Sequence, residues 1–446
     1  MIIPILTSPY ISRIMGAENI GIYSYSYSIA SYFALFILLG LNNYGNRTIA
    51  AVRDNKMELS KNFLEIYTMQ LCMSLFVIII YVIYSLFISK NTIISLIQII
   101  YIISVAIDIN WFYFGIEKFK ITVSRNTVIR LLNVILIFTF IKSKDDLVLY
   151  TFIMVIGPLI SQLFLWTILP RYISFSKIKF KDVLKHIKPN LVLFIPVIAI
   201  SLYTIMDKIM LGYMSSMTEV GYYENSNKLT QIPAMVITSL GTVMLPRMSN
   251  LIANNKFEEA KKYIEKSLIV SVILSTSMSF GLTAVCPVFV PLFFGIGFEK
   301  CNFLIPILVF SSVFLSWANV IRTQYLIPNK RDGIYIKSVI IGAIINILIN
   351  AFLIPRFESI GAAIGTLLAE ASVCIYQSYA IRNDISILRY LKQSVPYFFI
   401  ALIMYFIVDI IPILQNEFIT LLIKVLVGVV VYVFLMVMYN FRRRKQ

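Results

Sequence analysis

Residues 63–89 read FLEIYTMQLCMSLFVIIIYVIYSLFIS, 27 residues with a single charge, Glu65. Wound as an α-helix, this run is about 40 Å long. A hydrocarbon layer about 30 Å thick needs about 20 apolar residues to cross it, so the run spans a membrane with length to spare. Lipid offers no hydrogen bonds, and a single segment can satisfy its own backbone only as a helix. This stretch therefore decides the fold class, and the rest of the chain repeats its logic.

Similar runs recur at about 21–41, 92–115, 121–141, 147–169, 190–212, 219–245, 267–294, 303–327, 334–354, 360–381, 394–412 and 418–440. Residues 1–11 are apolar too, but make only about half a span. They have no basic leader and no small-residue cleavage site, so they do not read as a signal peptide. The preferred reading is a chain that starts inside its first helix; a re-entrant or interfacial segment is the alternative. Counting that half helix, the sequence predicts an all-α membrane protein of about 14 transmembrane helices. Composition agrees: 59% of the 446 residues are hydrophobic, 14% are charged, and mean hydropathy is +0.84. Soluble domains are nearer half apolar and a quarter charged.

The formal net charge is +17. If successive links alternate sides, about 30 of the 39 basic residues fall on one side. They include Arg47, Arg53, Lys118, Lys120, Arg171 to Lys188 of a long basic link (Lys177 among them), Lys256 to Lys266, Lys330, Arg331, Arg382 and the tail Arg442 to Lys445. Such asymmetry is the mark of cytoplasmic loops, so the C-terminus is expected inside the cell and the opposite loops are short. The basic excess is thereby read as topology rather than as nucleic-acid binding. Cys72, Cys286, Cys301 and Cys374 are scattered, His186 is the only histidine, and there is no phosphate-binding loop. No metal, disulfide framework or nucleotide cofactor is expected.

The second half of the chain echoes the first. Residues 3–32 read IPILTSPYISRIMGAENIGIYSYSYSIASY, and residues 195–229 read IPVIAISLYTIMDKIMLGYMSSMTEVGYYENSNKL. Gly16 then aligns with Gly212, Gly21 with Gly221, Gly40 with Gly241, Arg47 with Arg247 and Lys56 with Lys256. A six-helix repeat in one orientation implies two lobes related by an axis along the membrane normal, as in alternating-access carriers. The expected domains are a first lobe over 1–170, a basic cytoplasmic linker over 171–189, a second lobe over 190–385, and two extra helices with a basic tail over 390–446.

Polar groups inside the bilayer are costly, and they mark functional sites. They gather in helices 1, 2, 4, 5, 7 and 8. Arg13 closes the half helix; Asp108 lies in AIDINWFYFG; Arg125 and Arg130 lie in helix 5; Asp207 and Lys208 lie in helix 7; Glu224, Asn225 and Lys228 lie in helix 8. Plain readings stand beside these. Lys208 suits snorkelling at an interface, Glu224 and Lys228 suit an i,i+4 ion pair, and Arg125 suits a topology charge. In helix 2, Tyr23, Tyr25 and Tyr27 alternate with Ser24, Ser26 and Ser28. Such a helix needs water or a polar ligand beside it; tyrosine and serine suit sugars, and an interfacial aromatic belt would look alike.

Four stretches carry a family resemblance: residues 3–25, GLNNYGNRTIAAVRD over 40–54, YTIMDKIMLGYMSSMTEVGYYENSNKL over 203–229, and SLGTVMLPRMSNL over 239–251. At these residues the chain resembles the Wzx-type oligosaccharide flippases of bacterial polysaccharide synthesis, within the multidrug/oligosaccharidyl-lipid/polysaccharide exporter superfamily. The resemblance runs over essentially the whole chain. It implies a carrier in the bacterial cytoplasmic membrane that moves undecaprenyl-pyrophosphate-linked repeat units to the outer leaflet, beside polysaccharide polymerase machinery. By position, it implies Arg13, Lys208, Lys228 and Arg130 as cavity cations for the pyrophosphate. Asp207, Glu224, Asp108 and Asn225 would hold those cations or couple an ion, and Tyr23, Tyr25 and Tyr27 would face the sugar. The two last helices resemble the lipid-tail groove of lipid II flippases. Lipid II translocation and multidrug or cation antiport are the alternatives within the superfamily; the antiporter should favour acids over cations in its cavity. An enzyme such as a polymerase or ligase would need an outer catalytic loop, and the short outer links have no clustered acids.

Overall fold

In the computed structural model, residues 2–175 and 178–445 are described, so Lys177 of the basic link lies outside the described residues. Every long element is a helix. The first is α1 (Ile2–Leu38), which turns at Gly16 (φ 70°, ψ 174°), a conformation that favours glycine. There follow α2 (Leu41–Val52), α3 (Lys56–Phe87), α4 (Thr92–Ala106), α5 (Asn110–Gly115), α6 (Phe119–Phe140), α7 (Leu147–Ile168), the short α8 (Phe180–Leu184), α9 (Ile187–Thr204) and α10 (Met206–Met214). The second half holds α11 (Met217–Ala253), α12 (Phe257–Phe294), α13 (Cys301–Ile321), a π-helical turn (Arg322–Leu326), α14 (Asp332–Ala380), α15 (Ile387–Asp409) and α16 (Glu417–Lys445). α14 bends at Glu358 (φ 54°, ψ −128°).

Among the described residues, 12 helical stretches are long and apolar enough to cross a membrane. Asp332–Ala380 bends at Glu358 and is long enough on either side for two crossings, whereas the Gly16 turn divides Leu6–Val52 after only about half a span. The expected all-helical membrane fold is therefore what the chain adopts. Its outer faces explain why water is the wrong solvent. Phe76, Ile79, Phe87, Phe352, Leu426, Val430 and Phe434 are each at least half exposed. Apolar surface on that scale has to be covered, and lipid covers it.

The chain divides into two compact units, one through Ile209 and one from Met210 onward. In the first, Leu41, Phe63, Ile66, Trp111, Phe112, Tyr113 and Leu165 form a core cluster near the ends bearing the basic loops. A second cluster joins α1 to α3 and α4 through Ala30, Ile37, Tyr81 and Ile102. In the second unit, Leu268, Trp317, Ile321 and Tyr390 anchor one cluster. Phe280, Ala401, Met404 and Tyr432 bind α12 to α15 and α16 in another.

In each unit a side chain near the start of a helical stretch is tied to a distant turn. Asn19, three residues past the Gly16 turn, donates from Nδ2 to the Lys144 carbonyl at 2.8 Å. Glu219, three residues past Ser216, accepts from the Ser359 N–H at 3.2 Å and from the Ser359 hydroxyl. Glu219 also binds Lys300 Nζ at 2.7 Å, and Lys300 reaches Glu358.

Small residues let these helices close up. A Cβ on Gly45 would lie 2.6 Å from Cε3 of the fully buried Trp111. Gly45→Ala should therefore destabilise the detergent-solubilised protein by about 1–3 kcal/mol, the usual range for overpacking. Gly333→Ala, where nothing lies within 4 Å, should be neutral or slightly stabilising. Thermal unfolding of the two variants checks this pair of outcomes.

Candidate functional site

The polar interior of the first unit is built around a broken helix. Between α4 and α5, residues 107–109 leave the helical path within a membrane-spanning stretch. Such a break is tolerated only where the protein itself satisfies the freed backbone groups. Gln70 of α3 does most of this. Its Nε2 donates to the carbonyls of Val105 (3.0 Å), Ala106 (3.2 Å) and Asp108 (2.9 Å), and its Oε1 accepts from Trp111 Nε1 at 3.1 Å. Trp166 of α7 donates from Nε1 to the Ile107 carbonyl at 2.9 Å.

The side chains at the break are equally bound. Asp108 Oδ1 accepts from the Asn110 N–H at 2.7 Å and from Asn110 Nδ2 at 2.8 Å. Asn110 Oδ1 in turn accepts from Arg125, whose guanidinium also reaches Asn126 Oδ1 (3.0 Å) and the Ser161 carbonyl (2.8 Å). Arg125 is buried, at 6% exposure. A planar five-donor fork can serve three acceptors on three elements; an ammonium on a flexible stem cannot do so with the same geometry. Arg125 thus pins α6 and α7 to the break, a placement that a topology charge would not need. Arg130, five residues on, is about 140° further round the helix and lies exposed on α6.

Next to this break is a cavity of about 330 Å³. Its walls include Tyr27, Ser28 and Ser31 of α1, Tyr101 and Val105 of α4, and Lys208 of α10. Tyr27 packs on Tyr101 (centroids 5.0 Å apart) and stacks with Tyr23 (5.9 Å), which meets Tyr150 edge-on at 4.9 Å. Tyr23 and Tyr27, one helical turn apart, form one aromatic row. Tyr25 lies on another face and packs against the α1–α3–α4 core, as i and i+2 residues must. Lys208 is half-buried and Asp207 beside it is 1% exposed. Arg13 is exposed on α1.

In the second unit, Lys228 Nζ lies 3.3 Å from Glu224 Oε1, the i,i+4 pair that the spacing foreshadows, and Asn225 is buried. The Arg322 guanidinium donates to Asn319 Oδ1 at 2.7 Å beside the π-helical turn. Lys424 of α16 is buried at 4% exposure, deeper than an interfacial lysine. The structure therefore brings Tyr27 and Lys208 to one cavity, with Tyr23 adjoining. It sets Asp108 in the helix break, pairs Glu224 with Lys228, and leaves Arg13 and Arg130 exposed on their helices.

Sequence reasoning did not single out Gln70, Tyr101, Tyr150 or the Glu65 cluster. Glu65 is fully buried on α3 and accepts from Lys185 Nζ at 2.7 Å and His186 Nε2 at 3.0 Å, while His186 Nδ1 meets the Tyr44 hydroxyl at 2.6 Å. The available signal was a Glu and a Gln in an otherwise apolar run, since polar groups at membrane depth need partners. The basic link is thus fastened to α3, with Val183 of α8 in the core cluster. Among the described residues no cluster of three metal-binding side chains occurs.

These features define a multi-pass membrane protein of the exporter fold. The chain belongs to the polysaccharide biosynthesis protein family, whose sequence profile matches residues 1–252, and it is a Wzx-type member of the multidrug/oligosaccharidyl-lipid/polysaccharide exporter superfamily. The MatE profile matches residues 193–353. The "Putative O-antigen transporter" of Escherichia coli K12 is 24% identical over 388 residues, covering 86% of this chain and 93% of that protein. The protein of the same name from Shigella dysenteriae is 22% identical, covering 85% and 96%. Among solved structures, the lipid II flippase MurJ in its inward closed conformation superposes with a TM-score of 0.75 over 99% of both chains, at 16% identity. An inward-facing multidrug transporter of the MATE family gives 0.60 over 87% of this chain and 99% of its own, at 12% identity. These two likenesses establish the fold.

Arg125→Ala takes a donor from Asn110 Oδ1, the Ser161 carbonyl and Asn126 Oδ1, of which the last keeps the Ser161 hydroxyl at 3.1 Å. It should cost about 1–3 kcal/mol, the range for leaving buried acceptors unsatisfied. Arg125→Lys should recover less than half of that loss, as read from thermal unfolding of the purified protein, whereas Arg130→Ala should leave the melting temperature unchanged.

Proposed function

We propose that this protein is a flippase for lipid-linked oligosaccharides, moving undecaprenyl-pyrophosphate-linked repeat units from the cytoplasmic to the outer leaflet by alternating access. The membrane would be the bacterial cytoplasmic membrane, with the basic loops and the C-terminus inside. Family membership, the fold and the names of the relatives support the class of cargo. The observation that carries the reading in this chain is the tyrosine–serine cavity with Lys208 in its wall.

The chemistry of that cavity suits the proposed cargo. A sugar has flat CH faces ringed by hydroxyls. Tyr23 and Tyr27 supply rigid aromatic surface at low entropic cost, and Ser28 and Ser31 supply adaptable hydrogen bonds. A pyrophosphate needs cations, and Lys208 offers a point charge in a partly dewatered setting where charge-assisted bonds are strong. Arg13, Lys228 and Arg130 are the further cations assigned to the path. Asp207, Glu224, Asp108 and Asn225 are assigned to holding those cations or to ion coupling. No bond in the cargo is made or broken, so the protein is a carrier and not an enzyme. Polysaccharide polymerase machinery is the proposed recipient of the product.

Complementation of a strain lacking its own repeat-unit flippase tests the proposal. Removing a charged hydrogen bond costs about 1.5–3 kcal/mol, so Lys208→Ala should cut surface polysaccharide about tenfold or more, with lipid-linked repeat units accumulating inside. Lys208→Arg should retain most export, and Tyr27→Ala should lower it by a smaller factor. Full export by Lys208→Ala at normal protein levels would refute the site.

A further inference from the structure

The first turns of α15 carry Arg389, Lys392 and Gln393 on one face, at helical spacings that make them neighbours. With Leu388 and with Tyr439 near the end of α16, they line a cavity of about 470 Å³. That volume is within the range of small-molecule sites, about 300–1,000 Å³. Arg389 and Lys392 are exposed, and neither has an acidic partner among the described residues. Asp384, just before α15, is paired with Arg331 at 2.6 Å, and Glu258 and Glu265 of α12 act on Tyr390. Tyr390 is buried in the core, about 100° round the helix from Arg389.

Three further observations describe what the cavity offers a ligand beside its two cations. Gln393 Oε1 is buried with no hydrogen-bond partner among the described residues. Ser386 precedes α15 without a side-chain capping bond, and the backbone carbonyls of Ile385 and Ser386 take the Ile387 and Arg389 N–H groups, so only the helix dipole adds positive potential at this end. The floor is rigid: the Tyr397 hydroxyl donates to Asn440 Oδ1 at 2.8 Å, and the Tyr397 and Tyr439 rings meet edge-on at 5.5 Å.

The position decides the kind of anion. From Leu388 and Leu391 onward, α15 exposes apolar side chains, as does α16 back from Phe441 and Val437. Arg389 and Lys392 lie within the first two turns of that lipid-facing band, at its edge. Cations at the rim of a lipid-facing band are level with the phosphates of the bilayer, and basic pockets between helices at this depth take lipid head groups. We propose that α15 and α16 hold a lipid-borne phosphate at the basic side of the membrane. Arg389 grips two phosphate oxygens, Lys392 adds a point charge, and a head-group hydroxyl fills the vacancy at Gln393. The site is separate from the Lys208 cavity, and it stands or falls independently of the transport reading.

Native mass spectrometry of the full chain, released from nanodiscs of equal parts phosphatidylglycerol and phosphatidylcholine, tests this. The wild type should retain phosphatidylglycerol in preference to phosphatidylcholine. The Arg389→Gln/Lys392→Gln double variant should lose about tenfold of that retention, the scale of a lost charged hydrogen bond, while Lys256→Gln/Lys330→Gln keeps it. Charge reversal by Lys392→Glu should abolish the preference. A parallel arm with added polyprenyl phosphate assigns the source: retention of that lipid alone gives the site to a carrier-type lipid, and retention of phosphatidylglycerol gives it to bulk lipid. Binding of inorganic phosphate with neither lipid retained, equal retention of phosphatidylcholine, or unchanged retention in the double variant would overturn the proposal.

Discussion

Lipid cannot hydrogen-bond, and that constraint governs the arrangement of this protein. A helix meets it automatically, so most of the chain is helix. Where the path must break, at residues 107–109, the unpaired carbonyls have to find donors from other helices. Gln70 supplies three bonds from one amide, and Trp166 supplies another. The Arg125 fork then locks the neighbouring elements through Asn110, Asn126 and the Ser161 carbonyl. The break is thus rigid, and it abuts the cavity that Tyr27, Tyr101 and Lys208 line.

Rigidity there has a functional use. A cavity for a large polar cargo must stay wet and shaped while its outer surface faces oil. Tyrosine rings packed on one another at 5.0–5.9 Å keep the wall in place without closing it. Ser24 and Ser28, one turn apart, and Ser26, on a different face, are all buried, so small side chains let neighbouring helices approach this one on more than one side. The period of 3.6, and not the alternation visible in the letters, decides which tyrosine belongs to which. Tyr23 and Tyr27 share the row, and Tyr25 goes to the core.

That distinction shows how much was legible beforehand. Apolar length read out the helices, because spanning lipid is a one-dimensional requirement. The kinks at Gly16 and Glu358 divide long helices near the links that the runs implied. Side-chain partners were not legible, because they depend on which helices meet. Arg125 and Arg130 look alike in sequence, yet one is buried in a network and the other is exposed. Glu65 looked like a stray charge in the run that fixed the fold class, and it anchors the basic link through Lys185 and His186. Lys424 gave no sign of its burial, since that follows from how α16 packs.

The most direct measurement is photocrosslinking between a lipid-linked pyrophosphate oligosaccharide and the full-length protein in membranes, with a light-activated residue placed at position 27, at position 208, or on the lipid-facing side at position 430. Contact at 27 and 208 that unlabelled lipid-linked oligosaccharide competes away, with none at 430 that it competes, is the outcome expected. Crosslinks confined to position 430, or contact at 27 and 208 that excess cargo leaves unchanged, would show that the tyrosine–lysine cavity does not receive the sugar-phosphate head.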